Sequence, residues 1–341
     1  MKTLVTGATG FVGSHVARRL VASGETVRAL ARPGSRRQAL DGVAVEWVEG
    51  DLRDEASLAR ALAGVNRVYH VAADYRLWAR NPQEIYDSNV KGTKNLLAAA
   101  LRARVERFVY TSTVATIAVP RGNALPDETN RASVDEMIGN YKKSKLLAEQ
   151  EALRAAHEGL PVVIVNPTTP VGPGDWKPTP TGRIVLDFLL GKMPAYVDTG
   201  LNFAPVEDIA IGHQLAAQHG RIGERYLLGG RNMTLKELLD ALAKITGLAA
   251  PTRKISHSVA LLAAYADAAF SRVAGREPHI PVEGVRIARH TMFVNDAKAR
   301  KELSYQPGPV EEALERAVEW YAEHGYVSLP SRARIAQASA A

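Results

Sequence analysis

In the stretch GNYKKSKLLAEQ, residues 139–150, a tyrosine stands four positions ahead of a lysine. At that spacing in a helix Tyr141 and Lys145 share a face, so an ammonium can sit beside a phenol. A free phenol titrates near ~10, and an adjacent positive charge favours the phenolate that proton transfer near neutrality requires. Alone, the pair could equally be two surface residues. It gains meaning only if other groups converge on it, and one cluster does: FVYTSTVAT, residues 108–116, ends an apolar run in hydroxyls. At the carboxyl end of a central parallel strand, side chains face a ligand crevice. Ser112 or Thr113 there can hydrogen-bond a substrate carbonyl beside the Tyr–Lys pair.

A second group of residues suits a dinucleotide. TLVTGATGFVGSHVARRL places Gly7, Gly10 and Gly13 three positions apart between a strand-like run and a helix-like one. Such a turn aims backbone N–H groups and a helix N-terminus at a pyrophosphate, and a glycine at the third position lets helix and strand pack closely. Gly7, Thr9, Gly10, Phe11, Val12 and Gly13 are therefore the expected phosphate-side contacts. The next strand ends at RALARPGSRR, where an NAD site would carry an acid for the ribose 2′-hydroxyl; here Arg32 follows the strand directly. A guanidinium fork suits a 2′-phosphate, so NADP(H) is favoured over NAD(H), with Arg32 and Arg37 as its readers. Arg36 reads better as part of a solvated basic loop. In VEGDLRD, Asp51 can accept from an adenine amino group and Leu52 can pack on the ring. The alternative for Asp51, a helix-start signal, is filled better by Asp54. Ala72 and Ala73, in HVAA, are small enough for close cofactor approach, or they simply end a strand.

These residues need a scaffold, and the chain supplies one. TLVT, TVRAL, VAVEWVEG, RVYHVAA, RFVYTS and VVIVNP are short, apolar and β-branched, as strands buried on both faces should be, and helical stretches separate most of them. The alternation predicts an α/β fold with a doubly wound, parallel Rossmann sheet over residues 1–166. A smaller, mostly helical substrate region is expected over 167–326, with a segment near 205–230 returning to the first domain. NPTTPVGPGDWKPTPTGR is too rich in Pro, Gly and Thr to be a regular element, and such loops border binding sites. Trp176, Lys177, Thr179 and Arg183 in it are the candidate substrate contacts. TLKELLDALAKITG opens on a capping box, Thr234 to Glu237. The last helix runs through PVEEALERAVEWYAEHG. The polar tail, 327–341, is expected to be disordered.

Composition removes other chemistries. The 341 residues contain no cysteine, so disulfides, thiolate metal sites and a cysteine nucleophile are excluded. The nine histidines show no ligand spacing, so no metal is expected. The net charge of +7 is not gathered into a basic tract with interleaved aromatics, which argues against nucleic acid and fits an anionic ligand or membrane surface. The first residues, KTLVTG, are strand-like rather than a signal peptide, and no run reaches the length of a spanning helix, so a cytoplasmic location is expected. SHSVALLAAYADAAFSRVAG, residues 256–275, is unusually apolar. Packing against the Rossmann core is the plainer reading; a lid or a helix skimming a membrane surface is the functional one.

Taken in order, TGATGFVG, GDLRD, NVKGTKNLL, TSTVAT, YKKSK, NPTTPVGPG, FAPVEDIAIGH and DAKARKELSYQP resemble the extended short-chain dehydrogenase/reductase family, also called the NAD-dependent epimerase/dehydratase family. The resemblance covers the chain to about residue 326. It implies that Tyr141 is the acid/base, that Lys145 lowers its pKa and holds the nicotinamide ribose, and that Asn89 supports a proton-relay water. It places the catalytic hydroxyl on Thr113, where many relatives carry serine, with Ser112 able to share the task. It also implies cofactor contacts at Asn166, Pro167 and Thr168, and a homodimer formed through helices near 83–103 and 137–157.

Among subgroups, sugar-nucleotide dehydratases carry an acidic pair after the catalytic hydroxyl, where this chain has Val114 and Ala115. Nucleotide-sugar epimerases place an arginine before the FAPVED-like segment, where this chain has Leu201 and Asn202; Arg183 is the available substitute. The chain is more similar to dihydroflavonol reductase-like and hopanoid-associated sugar epimerase proteins, through VRALARPGS and VGPGDWKPTPTGR. The expected activity is NADP(H)-dependent hydride transfer to or from a carbonyl or secondary alcohol of a small or lipid-linked polyol. NAD-dependent sugar epimerisation is the alternative, and a non-catalytic NADP sensor a further one, disfavoured because Tyr141, Lys145 and Thr113 are all present.

Overall fold

The computed structural model describes residues 1–120 and 124–328. The expected disordered tail therefore lies, from residue 329 onward, outside the described residues. Chain order begins β1 (Lys2–Thr6), α1 (Phe11–Ala22), β2 (Thr26–Ala31), β3 (Glu46–Glu49), α2 (Glu55–Leu62) and β4 (Arg67–His70). Next come α3 (Gln83–Tyr86), α4 (Gly92–Arg102), β5 (Arg107–Thr111), α5 (Gly139–His157) and β6 (Val162–Pro167). Then follow β7 (Thr169–Val171), α6 (Pro180–Leu189), β8 (Gly200–Pro205), α7 (Val206–His219), β9 (Arg225–Leu228) and β10 (Arg231–Thr234). The remaining helices are α8 (Leu235–Thr246), α9 (His257–Val273), α10 (Val282–Ile287), α11 (Ala297–Leu303) and α12 (Val310–Glu323).

The first of two compact units comprises Met1–Thr168, Glu207–Gly229 and Val294–Pro307. Its sheet has seven strands in the order β3-β2-β1-β4-β5-β6-β9, every pair parallel. A parallel sheet is covered on both faces, which is why its strands read as continuous apolar runs; all six residues of β6 are buried. Leu58, Leu96, Ala148 and Ala152 from three helices close over Phe108, Val162 and Ile164 of β5 and β6. The chain leaves β1 in one direction across the sheet and β4 in the other, so their carboxyl ends frame a crevice. The helical stretch 81–104 is not one regular helix: a π-helical turn, Asp87–Lys91, joins α3 to α4.

The second unit comprises Thr169–Val206, Gly230–Phe293 and the chain from Gly308. It is mostly helical, as expected, but it corrects the expectation that residues 166–183 hold no regular element. A three-stranded sheet, β10-β8-β7, is present, with β7 drawn from that stretch. The first turn of α6 also begins within it, because Pro180 occupies a first helical position whose N–H needs no partner and the Thr179 hydroxyl accepts from Gly182 N at 3.1 Å. The capping box at Thr234 and Glu237 forms as expected. Packing of α9 departs from the plainer expectation: Ala260, Ala264 and Ser271 are its buried residues, Leu261 is half-buried, and Val259, Leu262, Tyr265, Phe270 and Val273 are exposed. Val294–Pro307, which the sequence pattern groups with the second region, joins the first unit instead.

Between β1 and α1 the backbone folds back on itself. A Cβ on Gly13 would lie 2.1 Å from Gly7 O, whereas one on Gly10 would lie 3.3 Å from the same atom. Gly13→Ala is therefore expected to destabilise the protein by roughly 1–3 kcal/mol in urea melts, the scale of an overpacked core, and Gly10→Ala by less. Equal effects would contradict this packing.

Candidate active site

Tyr141 lies in the first turn of α5 and Thr113 just beyond β5. The two side chains hydrogen-bond, which favours the phenolate, but burial outweighs this and holds the Tyr141 pKa above its ordinary 10.0. Thr113 also accepts from Ala115 N at 3.2 Å, which fixes its rotamer. Lys145 is buried one helical turn on. Its Nζ donates to Tyr110 Oη at 2.9 Å and to Thr111 O at 2.8 Å. Burial lowers the Lys145 pKa to about 7, against an opposing pull from Glu149. The expectation that Lys145 lowers the Tyr141 pKa is thus corrected for this arrangement, because the amine is turned to the end of β5 and Thr113 alone opposes the burial of the phenol.

Asn89 sits in the π-helical turn between α3 and α4. Its side chain is wholly committed: Oδ1 accepts from Asp74 N at 2.7 Å, and Nδ2 donates to Asp74 O at 2.9 Å and Ser144 Oγ at 2.9 Å. Ser144 Oγ in turn donates to Tyr141 O at 2.8 Å. Asn89 therefore clamps the chain after β4 to the helix that carries Tyr141.

Ser112 does not share the task of Thr113. Its hydroxyl is buried and donates to Glu149, as does Thr116 Oγ1 at 2.8 Å and Asn166 Nδ2 at 2.9 Å. The second oxygen of Glu149 meets Arg225 Nη1 at 3.1 Å, and Arg225 also donates to Glu128 O. This buried network underlies the hydroxyl loop, and sequence reasoning missed it. Glu149 had a signal, lying four residues beyond Lys145 on the same helix face; Arg225 had none. His70 was missed too. Its ring nitrogens meet Thr6 Oγ1 at 2.7 Å and Thr93 Oγ1 at 2.9 Å, and burial lowers its pKa to about 3, so it is a neutral strut between β1, β4 and α4.

The glycine turn has the shape a dinucleotide needs. Gly7 has φ +72, and a Cβ there would meet Ala72 N at 2.6 Å, so only glycine lets the chain after β4 come this close. Ala72 N is held by Thr6 Oγ1 at 3.2 Å. No side chain caps α1, whose N-cap is Gly10, so Phe11, Val12 and Gly13 open a helix N-terminus suited to phosphate. Asn166 Oδ1, at the end of β6, is buried without a partner. These features fit a bound dinucleotide.

Other expected contacts are occupied by protein. Asp51 is held by Arg53 in a two-pronged pair, at 2.9 and 2.7 Å, which lowers its pKa. Leu52 packs on α4, where a Cβ on Gly92 would meet it at 2.8 Å. Arg37 pairs with Glu49 at 3.3 Å and stacks 4.8 Å from the Trp47 ring centroid, so it is not a free reader of a 2′-phosphate. Arg32 is exposed, and its guanidinium makes no hydrogen bond or ion pair among the described residues. Thr168 donates from Oγ1 to Leu228 O at 3.2 Å. Pro167 closes β6, and Ala73 follows Ala72 half-buried; Thr9 is half-buried in the turn. In the second unit, Trp176 packs edge-on against Trp320 at 4.9 Å. Thr179 caps α6 and donates to Asp175 at 2.8 Å. Arg183 lies 3.5 Å from Asp187. Trp176, Thr179 and Arg183 thus have structural partners there; Lys177 is exposed.

The model of the NAD dependent epimerase/dehydratase family matches residues 3–229. The chain belongs to that family. It is an enzyme of the extended short-chain dehydrogenase/reductase type, an oxidoreductase. It is 45% identical over 327 residues to a Synechocystis sp. protein provisionally named dihydroflavonol 4-reductase, covering 95% of each. It is 38% identical to sterol demethylase protein B of Methylococcus capsulatus, covering 96% of this chain and 100% of that protein. The solved structure of gox2253 superposes with a TM-score of 0.86 at 46% identity, covering 96% of this chain and 99% of that one. The dTDP-glucose 4,6-dehydratase DesIV of Streptomyces venezuelae, solved with NAD and TYD bound, superposes at 0.78 and 26% identity, covering 96% and 99%.

Lys145 gives the site a pH signature. An amine whose pKa falls from 10.5 to about 7 on folding binds fewer protons folded than unfolded between those values. This group therefore makes folding more favourable as pH rises from about 7 towards 10.5. Between pH 7 and 9, wild type should gain about 1–2 kcal/mol relative to Lys145→Met in urea melts. Parallel pH profiles would contradict the burial of a titrating amine.

Proposed function

We propose that this enzyme is an NADP(H)-dependent reductase acting on a carbonyl, or in reverse on a secondary alcohol, of a small or lipid-linked polyol. The observation that carries this reading is Arg32, which follows β2 directly and whose exposed guanidinium is uncommitted to protein. An NAD site would place an acid there, and a 2′-phosphate offers the bidentate charge that an open guanidinium binds. The name of the Synechocystis relative supports reduction. The absence of an acidic pair after Thr113 and of an arginine at Leu201 or Asn202 argues against dehydratase and sugar-nucleotide epimerase chemistry.

A dinucleotide held by its pyrophosphate at the glycine turn would supply or take the hydride. The remaining work belongs to the chain. Gly7, Gly10 and the start of α1 hold phosphate, and Arg32 reads the 2′ position. The Thr113 hydroxyl, fixed by Ala115 N, orients a substrate oxygen beside the Tyr141 hydroxyl. Tyr141 gives its proton to that oxygen when the carbonyl is reduced and takes it back in the reverse direction. Lys145, as an ammonium at the end of β5, offers a donor to a ribose hydroxyl. Asn89 keeps the chain after β4 registered against this group.

Arg32→Ala is expected to weaken NADPH binding about tenfold, the value of one charge-assisted contact, and to leave NADH binding within about twofold. Fluorescence titration of both cofactors checks this, and equal losses would sink the assignment. We also propose a homodimer through the segments near 83–103 and 137–157. Light scattering should give twice the mass of one chain; a single-chain mass refutes it.

A further inference from the structure

The helix α9 is built the wrong way round for a helix that packs on its own protein. Its buried positions, Ala260, Ala264 and Ser271, are small. Val259, Leu262, Ala263, Ala266, Phe270 and Val273 fall at i, i+3, i+4, i+7, i+11 and i+14, one continuous face. All six are exposed, Leu262 at 72%, Phe270 at 64% and Val273 at 91%. Soluble proteins scatter single exposed apolar residues, and a contiguous stripe of this length marks a surface that meets something.

The rim says what it meets. Residues 251–290 carry six Lys and Arg, namely Arg253, Lys254, Arg272, Arg276, Arg286 and Arg289, against Asp267, Glu277 and Glu283. Lys254 is paired with Asp198 at 2.6 Å, whereas Arg272, Arg276 and Arg286 lie on or against α9. The Arg276 guanidinium lies 5.3 Å from the Phe270 ring centroid, on one side, and is paired with Asp267 at 2.7 Å. On the other side Arg286 donates to Tyr265 Oη at 2.6 Å, with Arg272 exposed nearby. An apolar face with Tyr265 at its margin and arginines beside it matches the depth profile of a lipid interface: acyl chains, glycerol level, anionic headgroups. No helix among the described residues is long and apolar enough to cross a membrane, so the contact is with one leaflet.

We propose that α9 is a docking surface for an anionic lipid bilayer, lying in the plane of its headgroups with Leu262, Phe270 and Val273 inserted. This is independent of the cofactor assignment. It would bring the enzyme to substrates that reside in, or are tethered to, the membrane. A second copy of the chain is a poorer occupant, because facing arginine rims would repel each other.

Flotation of the full chain with vesicles tests it, using phosphatidylcholine alone and phosphatidylcholine mixed with phosphatidylglycerol. The expected result is at least about tenfold more protein floating with the anionic vesicles at low salt, reduced by added salt. Leu262→Glu/Phe270→Glu and, separately, Arg272→Glu/Arg286→Glu should each cut this about tenfold while cooperative urea melts like that of wild type show both proteins folded. Failure to float with anionic vesicles overturns the proposal, as does equal flotation by wild type and the first double variant. So does a drop in scattering mass caused by Leu262→Glu/Phe270→Glu in the absence of lipid, which would assign the face to a second copy.

Discussion

The first unit is organised around one buried charge pair, Glu149 with Arg225. Glu149 lies on α5, two turns beyond Tyr141, and Arg225 opens β9 at the edge of the sheet. A carboxylate and a guanidinium taken from water together gain little net stability, because desolvation consumes most of their attraction. What they impose is uniqueness, since either one alone would be an uncompensated buried charge costing about 3–5 kcal/mol. Glu149 uses its second oxygen for Ser112, Thr116 and Asn166. One carboxylate therefore fixes the ends of β5 and β6 relative to the helix that carries Tyr141, and the position of Thr113 follows from it.

The scaffold was legible because its causes are local. β-Branched runs between amphipathic stretches can form only a sheet covered on both faces, and the glycine spacing of residues 7–13 has meaning only between a strand and a helix. Tyr141, Lys145 and Thr113 were legible through spacing and through position at a strand end. What stayed hidden depends on contacts between distant residues. Ser112 and Thr113 are adjacent and chemically alike, and only the presence of Glu149 beneath the first commits it to structure. Arg37 and Arg32 look equivalent in sequence until Glu49 and Trp47 claim the former. The short strand β7 escaped notice because proline and glycine usually mark irregular chain, yet an edge strand tolerates Pro170.

The site holds Tyr141 in its neutral form. In the structure burial keeps Tyr141 a phenol and brings Lys145 to about 7, with Glu149 as the group that favours its charge. A site with a neutral phenol is ready to donate a proton, which is the direction carbonyl reduction requires. The same residues serve epimerases, in which the hydride returns to the substrate it left. The difference between those activities lies in whether the dinucleotide leaves after each hydride transfer, and the proposed role of Arg32 assigns that to the adenosine end.

The most direct measurement is therefore of the dinucleotide the protein retains. Purified protein would be denatured and the released nucleotide identified and quantified against protein. The account predicts less than about one dinucleotide per ten chains, and NADP(H) in whatever fraction is occupied, as expected for a reductase that exchanges cofactor at each turnover. Close to one NAD(H) per chain would contradict it, transferring the protein to the epimerase reading and leaving Arg32 without its assigned role.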